Sequence, residues 1–317
     1  MRILLAGAGG IGCYVGARLS QVAGLEVALL ARGKRYQQLL NDGVQLVDNG
    51  QSLEQFSLPV LDSGKAEDLT QIAAYDWLIL CCKTQHTAAL IKQLSPVISA
   101  DCHVMSLQNG VDNEPLMAAG LQREVVGGLC IRFAAHLDDS GPISVVGPPI
   151  VMAGEYPLGG SGRVEQMVAW LNQAGLQAQS VADIRKDLWR KLVINGAVNP
   201  ITALLGRDTG FVRDSPQAMA VAEDMMAEIA EAAKIDGVEL SEDDLTQMWQ
   251  VLKNIDAFKS SMQIDAERGS ELEYAGLTDA VLRRIEAKGG TAPVTRTVDR
   301  LLKALYPPMT DWEKNDE

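Results

Sequence analysis

Six residues near the start of the chain, Gly7-Ala8-Gly9-Gly10-Ile11-Gly12, constrain the fold more than any other stretch. Arg2–Gly7 reads as an apolar strand, and Ile11–Val22 carries helical spacing. A G-x-G-x-x-G run is informative when it follows a strand and opens a helix; elsewhere it is a common glycine-rich turn. The first glycine allows a tight turn, the second lets a pyrophosphate approach the backbone, and the third lets helix and strand sit close together. The helix N-terminus adds N–H donors and a partial positive charge. Gly7, Ala8, Gly9, Gly10, Ile11 and Gly12 are therefore the candidate cofactor loop. The same run has the outline of a secretory signal, with Arg2 followed by uncharged residues to Ala17. Glycines 7, 9, 10, 12 and 16 interrupt it and suit a phosphate loop better than an apolar h-region.

The rest of the first half alternates strands and helices, the pattern of a doubly wound α/β sheet. Strands are expected at Leu25–Ala31, Asp76–Cys82, Val104–Leu107 and Val125–Phe133, the last three being nearly continuous apolar runs. A helix is expected over Lys34–Asn41, and a hairpin insertion over Val44–Val47 and Leu53–Leu58 about the turn Asp48-Asn49-Gly50. Strands at Ile143–Val146 and Ile150–Ala153, a helix at Val164–Ala174 and a strand at Leu176–Val181 complete this half. After it only helices are expected: Asp183 to about Leu205, Gln217–Ile235, Asp243–Ser260, Leu272–Ala287 and Pro293–Leu305. The reading is a Rossmann-type α/β domain over residues 1–182 and an all-α domain over 183–317. The length of 317 residues agrees with two domains at roughly 150 residues each.

Composition narrows the function. Lys and Arg number 28 against 41 Asp and Glu, a net charge of −13. Nucleic-acid binding needs a basic face to neutralise phosphates, and docking to an anionic membrane needs the same, so neither is expected. No run reaches the roughly 18–20 apolar residues of a spanning helix. Cys13, Cys81, Cys82, Cys102 and Cys130 are odd in number and match no zinc spacing. Buried free thiols point to a reducing, cytoplasmic compartment. His86, His103 and His136 show no ligand spacing either, so no metal is expected.

The end of the second strand selects the cofactor. An Asp or Glu there holds the 2′-hydroxyl of NAD. This chain has Arg32, then Gly33, Lys34 and Arg35. Cations at a helix start oppose the helix dipole, so they need another purpose, and a 2′-phosphate supplies one. NADP(H) is the expected cofactor. Lys83 and Asn109 follow two further strands, at the sheet edge where such folds bind ligands, so Lys83 is a candidate cofactor contact and Asn109 a candidate contact to the cofactor's nicotinamide or to the substrate. Downstream, Lys191, Asn195 and Asn199 recur at four-residue spacing on one helix face, among Leu192, Val193, Ile194, Ala197, Val198 and Ile201. Amides are poor residues for a helix interior unless they bind something, so this face is the candidate substrate wall. Pro200 follows directly. A second polar group, Ser260-Ser261-Met262 with Asp265, Glu267, Arg268, Glu271 and Glu273, reads on its own as a helix end and solvated loop.

Together these stretches resemble the ketopantoate reductase (2-dehydropantoate 2-reductase) family over nearly the whole chain. The match rests on G-A-G-G-I-G at Gly7–Gly12, C-K-T at Cys82–Thr84 and Q-N-G-V at Gln108–Val111. It continues with L-W-R-K-L-V-I-N-G-A-V-N-P-I-T-A at Leu188–Ala203, S-S-M at Ser260–Met262 and D-A-E-R-G at Asp265–Gly269. The resemblance implies a helical domain of the 6-phosphogluconate dehydrogenase C-terminal type. It also implies NADPH-dependent reduction of ketopantoate to pantoate in pantothenate biosynthesis, toward coenzyme A, by a monomer or homodimer. The family's catalytic lysine falls on Lys191 and its glutamate on Glu273. Its substrate-facing groups fall on Asn109, Asn195, Asn199 and Ser261, and its 2′-phosphate arginine on Arg32.

The chain departs from the family pattern in places. Phe258 stands where Asn is common, and His86 where a cofactor-contacting Gln is common. Ala275, Thr278 and Asp279 replace a usual Asp, Asn and Gly, and Glu271 is an extra carboxylate two residues from Glu273. Three other readings stand beside the first. One is an NADPH-dependent reductase of a different 2-oxo acid, favoured by Phe258. The second is a non-catalytic NADP(H)-binding regulator, and the third a β-hydroxyacid-type dehydrogenase.

Overall fold

The computed structural model describes residues 1–48, 53–131, 134–137, 141–147 and 149–308. The chain divides into two compact units. The first comprises Met1–Gln108 with Asn113–Ile184, and the second comprises Asn109–Asp112 with the chain from Arg185 onward.

The first unit carries β1 (Arg2–Ala6), β2 (Glu26–Ala31), β3 (Val44–Asp48), β4 (Leu53–Phe56), β5 (Val60–Asp62), β6 (Trp77–Leu80), β7 (His103–Ser106), β8 (Val125–Ile131), β9 (Ala134–Leu137), β10 (Ile143–Val146), β11 (Ile150–Tyr156) and β12 (Gln177–Ser180). Its helices are α1 (Gly10–Leu19), α2 (Gly33–Asp42), α3 (Ala66–Gln71), α4 (Thr84–Leu94), α5 (Asn113–Leu121) and α6 (Gly162–Gln173). The main sheet runs β12-β11-β8-β7-β6-β1-β2-β5. From β5 to β8 every pairing is parallel; β11 then runs antiparallel to β8. The chain leaves β1 for β2 on one side and, after β5, crosses back to β6 on the other side of β1, so the switch point of the sheet lies at β1. Open α/β sheets bind ligands at that point, beyond the carboxyl ends of the strands.

Alternation along β1 explains the two-sided core. Ile3 and Leu5 join Leu29, Ile79 and Met105 on one face, while Leu4 and Ala6 join Leu30, Leu78 and Leu80 on the other. A strand buried on both faces has no polar side, hence the unbroken apolar runs. The expected hairpin forms as β3 and β4, with Val44 opposite Phe56 and Val47 opposite Leu53. Asn49 and Gly50 of its turn lie outside the described residues. The hairpin does not stand alone: β10 joins β3 in parallel and β9 flanks β10, giving a second sheet, β4-β3-β10-β9. Helix α1 touches strands of both sheets.

The second unit contains α7 (Ile184–Leu205, whose first residue belongs to the first unit), α8 (Thr209–Asp214), α9 (Pro216–Ile235), α10 (Glu242–Lys253), α11 (Ser261–Arg268), α12 (Thr278–Ala287) and α13 (Pro293–Leu305). Two expected helices are corrected. The helix placed over Asp243–Ser260 ends at Lys253, because the backbone beyond it is used otherwise. Arg213 donates to the Ile255 carbonyl at 2.7 Å, and the Thr209 hydroxyl bonds the carbonyls of Asp256 and Phe258 and the Phe258 N–H. The helix placed over Leu272–Ala287 starts only at Thr278. Before it, buried Tyr274 donates its hydroxyl to the Tyr306 carbonyl at 2.7 Å, and its own carbonyl accepts from the N–H groups of Leu277 and Asp279.

Helix α10 begins with a reciprocal cap. Asp244 accepts from the Ser241 backbone, Ser241 caps Asp244 in return, and Lys186 of α7 lies 2.7 Å from the same carboxylate. Burial works against this charge, but the bonds from Lys186 and Ser241 outweigh it and hold the carboxyl down at about 2. A depressed carboxylate stabilises the fold above its unfolded pKa and loses that contribution as pH falls through the folded one. Stability should therefore drop between about pH 4 and pH 2, and Asp244→Asn should flatten that part of the curve. Chemical denaturation of both proteins across this range measures it.

Candidate active site

The cofactor loop is built by backbone geometry. Ala6 of β1 pairs with Leu30 of β2 and Leu80 of β6, so the loops leaving β1 and β6 start at one level. Gly7 turns with φ +115°, and a Cβ there would lie 2.5 Å from the Cys82 nitrogen. A Cβ on Gly12 would collide with the Gly7 carbonyl, so the third glycine sets how closely α1 sits on β1. Gly9 differs: it is the N-cap of α1, and a Cβ on it would meet nothing within 4 Å among the described residues. The opening lies where the motif brings a pyrophosphate, beside the N–H groups at the start of α1. The loop thus fits the group that the sequence implies. Gly10 turns out to serve packing, since a Cβ there would collide with the Ala135 carbonyl of β9. Half-buried Ile11 packs against the core.

Two glycine variants separate these roles. Gly12→Ala should cost about 1–3 kcal/mol of stability through overpacking. Gly9→Ala, at φ −81°, should leave the melting temperature almost unchanged and weaken dinucleotide binding, because the new methyl fills the approach. Thermal melts beside a binding titration check both.

The three cations after β2 have separate roles. The Arg35 guanidinium bonds the Ala8 carbonyl at 2.9 Å, Gln38 at 2.7 Å and the Cys13 sulfur at 3.2 Å, so it braces the loop. Burial pushes the Cys13 thiol up despite that neighbour. Arg32 and Lys34 are exposed, and Arg32 makes no side-chain hydrogen bond or ion pair among the described residues. Arg32 caps α2 at the carboxyl end of β2, where a ribose substituent is read.

A buried amide network fixes the next two strand ends. Gln108 donates to the Cys82 carbonyl at 2.8 Å and to the Thr87 hydroxyl at 2.7 Å. Thr87 donates to Asn113, and Asn113 donates to Thr84. These bonds hold the start of α4, whose N-cap is half-buried Lys83, against the segment after β7. Half-buried Asn109 follows Gln108 and belongs to the second unit.

In the second unit, Lys191, Asn195 and Asn199 lie on one face of α7. Lys191 and Asn195 are half-buried, and Asn199 is 9% exposed. Leu192, Val193, Ala197 and Val198 fill the core on the other sides. Gly196 lets α9 approach, since a Cβ there would lie 2.9 Å from Ile229. Pro200 lies inside the helix rather than ending it. One turn beyond Asn199, the Thr202 hydroxyl donates to the Asn199 carbonyl at 2.8 Å and lies 2.6 Å from the Ser260 hydroxyl. Ser260 also accepts from the Gln263 N–H as the cap of α11. This contact brings exposed Ser261, the first residue of α11, to the end of the amide stripe. Glu271 and Glu273 are both half-buried in the segment before α12.

Sequence reading missed Arg35 as a brace, Ser260 as the α7–α11 link and the Gln108 network. Each depends on long-range pairing that spacing does not encode. A Ser at a helix start was a visible cap signal for Ser260, but its partner was not. Among the described residues no group of three or more His, Cys, Asp and Glu could hold a metal ion, and no helix is long and apolar enough to cross a membrane.

Comparison with known proteins agrees with this architecture. Residues 3–157 match the family described as Ketopantoate reductase PanE/ApbA, and residues 183–306 match Ketopantoate reductase PanE/ApbA C terminal. The chain is 32% identical over 304 residues to a 2-dehydropantoate 2-reductase of Archaeoglobus fulgidus, covering 96% of this chain and 97% of that protein. A PanE/ApbA family ketopantoate reductase from Ralstonia eutropha superposes with TM-score 0.84 at 26% identity, covering 96% and 98% of the two chains. A D-mandelate dehydrogenase solved with NADH and anilino(oxo)acetate shares the fold, with TM-score 0.86 at 23% identity over 96% and 98% of the chains. With a Rossmann-type sheet, an all-helical second part and these matches along its length, the chain belongs to the ketopantoate reductase family of oxidoreductases.

Proposed function

We propose that this protein reduces 2-dehydropantoate to pantoate with NADPH, a step toward pantothenate. The observation that carries the reading is the Lys191–Asn195–Asn199 face of α7, with the start of α11 joined to its end through Ser260 and Thr202. When bound, NADPH supplies a hydride to the keto carbon of the substrate. The protein's own residues then handle charge and protons. Hydride arrival places negative charge on the keto oxygen, which must be protonated and stabilised. Lys191 is the general acid: its ammonium gives that oxygen a proton and stabilises the charge while it develops. Asn109 donates a hydrogen bond toward the same oxygen. Ser261 and the amides of Asn195 and Asn199 bind the substrate's carboxylate and hydroxyl. Glu273 orients Lys191 or accepts from a substrate hydroxyl; Glu271 is its alternative. Gly7 to Gly12 and Lys83 hold the cofactor, and Arg32 pairs with its 2′-phosphate. That pairing is charge-assisted, and among the described residues no side chain competes for Arg32.

A second reading, reduction of another 2-oxo acid on the same machinery, is favoured by Phe258. Its backbone is pinned to Thr209 two residues before Ser260, while the residue as a whole is 47% exposed. An apolar ring there suits an apolar substrate tail better than a hydroxyl. Incubation of the protein with ketopantoate and NADPH, with the product identified by mass and NMR, tests the first reading. Pantoate formed in step with NADPH loss supports it. Cofactor oxidation with only phenyl- or alkyl-substituted 2-oxo acids would replace it by the second.

A further inference from the structure

One guanidinium ties together the segments that carry the proposed chemistry. Arg284 of α12 is largely buried, with its side chain 14% exposed. It donates to Asp112 at 2.8 Å and lies 3.1 Å from Asp236, at the end of α9. Its charge sits over the ring of Trp189, 5.1 Å from the centroid. Asp112 lies three residues after Asn109, in the short segment that belongs to the second unit, and a second arginine, Arg283, holds it at 2.6 Å. Trp189 is 1% exposed, donates its ring N–H to Asp236 at 3.2 Å and precedes Lys191 by two residues on α7. The Arg284 side chain also bonds the Ala280 carbonyl of its own helix at 3.1 Å.

We infer that Arg284 is a positioning residue for the reaction, fixing the Asn109 segment through Asp112 and the Lys191 turn of α7 through Trp189. The inference rests on the proposed roles of Asn109 and Lys191. A planar guanidinium can reach two carboxylates and an indole face at once; a lysine ammonium cannot. Surface charge pairs seldom deserve such a role, but this one is largely withdrawn from water and joins residues more than 170 positions apart in the chain. Misplacing a donor by about 1 Å costs on the order of 100-fold in rate. A loosened Asn109 segment should therefore appear in kcat rather than in cofactor binding.

Arg284→Met keeps the alkyl packing on Trp189 and removes the charge. With whichever 2-oxo acid the unaltered enzyme reduces, kcat per folded protein should fall roughly 30-fold, with NADPH affinity within about twofold. Arg284→Lys should recover only part of the loss, and Asp112→Asn should reproduce most of it. The double variant should fall no further than Arg284→Met, because the two side chains act as one unit. A kcat within about threefold of the unaltered enzyme in Arg284→Met, or in Asp112→Asn if the first fails to fold, would overturn the inference. So would a loss confined to melting temperature. Amide exchange separates this from failure of the activity itself. If the unaltered enzyme reduces no 2-oxo acid, the proposed function falls. Arg284→Met should still speed exchange at residues 109–112 about tenfold, with the first half of α9, far from Asp236, unaffected, and unchanged exchange at 109–112 would refute Arg284 as the anchor.

Discussion

Lys191→Ala should lower kcat by about a thousandfold while leaving NADPH binding almost unchanged, because general-acid catalysis contributes about 10²–10⁴ in rate. The developing oxyanion needs both a positive charge and a proton. Of Lys191, Asn195 and Asn199, only Lys191 can give both. Asn195 and Asn199 donate hydrogen bonds but no proton, so they cannot replace it. Lys191→Arg keeps the charge and should rescue little, since a guanidinium does not release a proton near neutral pH. The same variant separates an enzyme from a non-catalytic cofactor-binding regulator. A regulator would keep its cofactor affinity with no turnover to lose, so single-turnover absorbance beside a fluorescence titration of NADPH decides between them.

Arg32→Glu should raise the KM for NADPH by about 100-fold and change that for NADH little. Replacing this exposed cation by an anion removes a charge-assisted hydrogen bond, worth about 1.5–3 kcal/mol, and adds repulsion. The structure supplies a control that sequence could not. Arg35 stands three residues away but is bound to the Ala8 carbonyl, so it belongs to the loop rather than to the ribose. Arg35→Ala should therefore weaken NADPH and NADH together. Steady-state KM values for both cofactors check the pair of variants, and an equal loss of both cofactors in Arg32→Glu would sink the 2′-phosphate assignment.

Much of this was legible in the sequence because it is local. The glycine loop, the apolar runs of strands buried on both faces and the four-residue stripe on α7 are short-range patterns, and all lie in the expected elements. What failed to show was long-range. Asp243–Ser260 looked helical because its propensities are good, yet Thr209 and Arg213 take up the backbone groups after Lys253. Leu272–Leu277 kept the apolar spacing of a helix, but buried Tyr274 anchors that segment to the Tyr306 carbonyl. The second sheet was half visible, since β3, β4 and β10 each carried a strand signal. Their assembly around α1 depends on pairings up to about a hundred residues apart, for which no spacing rule exists. Asp112 and Arg284 stayed hidden for the same reason: a polar residue in a loop and another on a helix look solvated until the fold buries them together.

The central claim is that the α7 face and the cations after β2 make this chain an NADPH-dependent reductase of ketopantoate. The direct test is kcat/KM of the purified protein for ketopantoate with NADPH, measured beside NADH and a panel of phenyl- and alkyl-substituted 2-oxo acids. The account predicts that ketopantoate with NADPH exceeds every other pairing by at least about tenfold, a margin that roughly 1.4 kcal/mol of differential transition-state binding provides. A phenyl-substituted 2-oxo acid turned over faster than ketopantoate, or NADH used as well as NADPH, would contradict it.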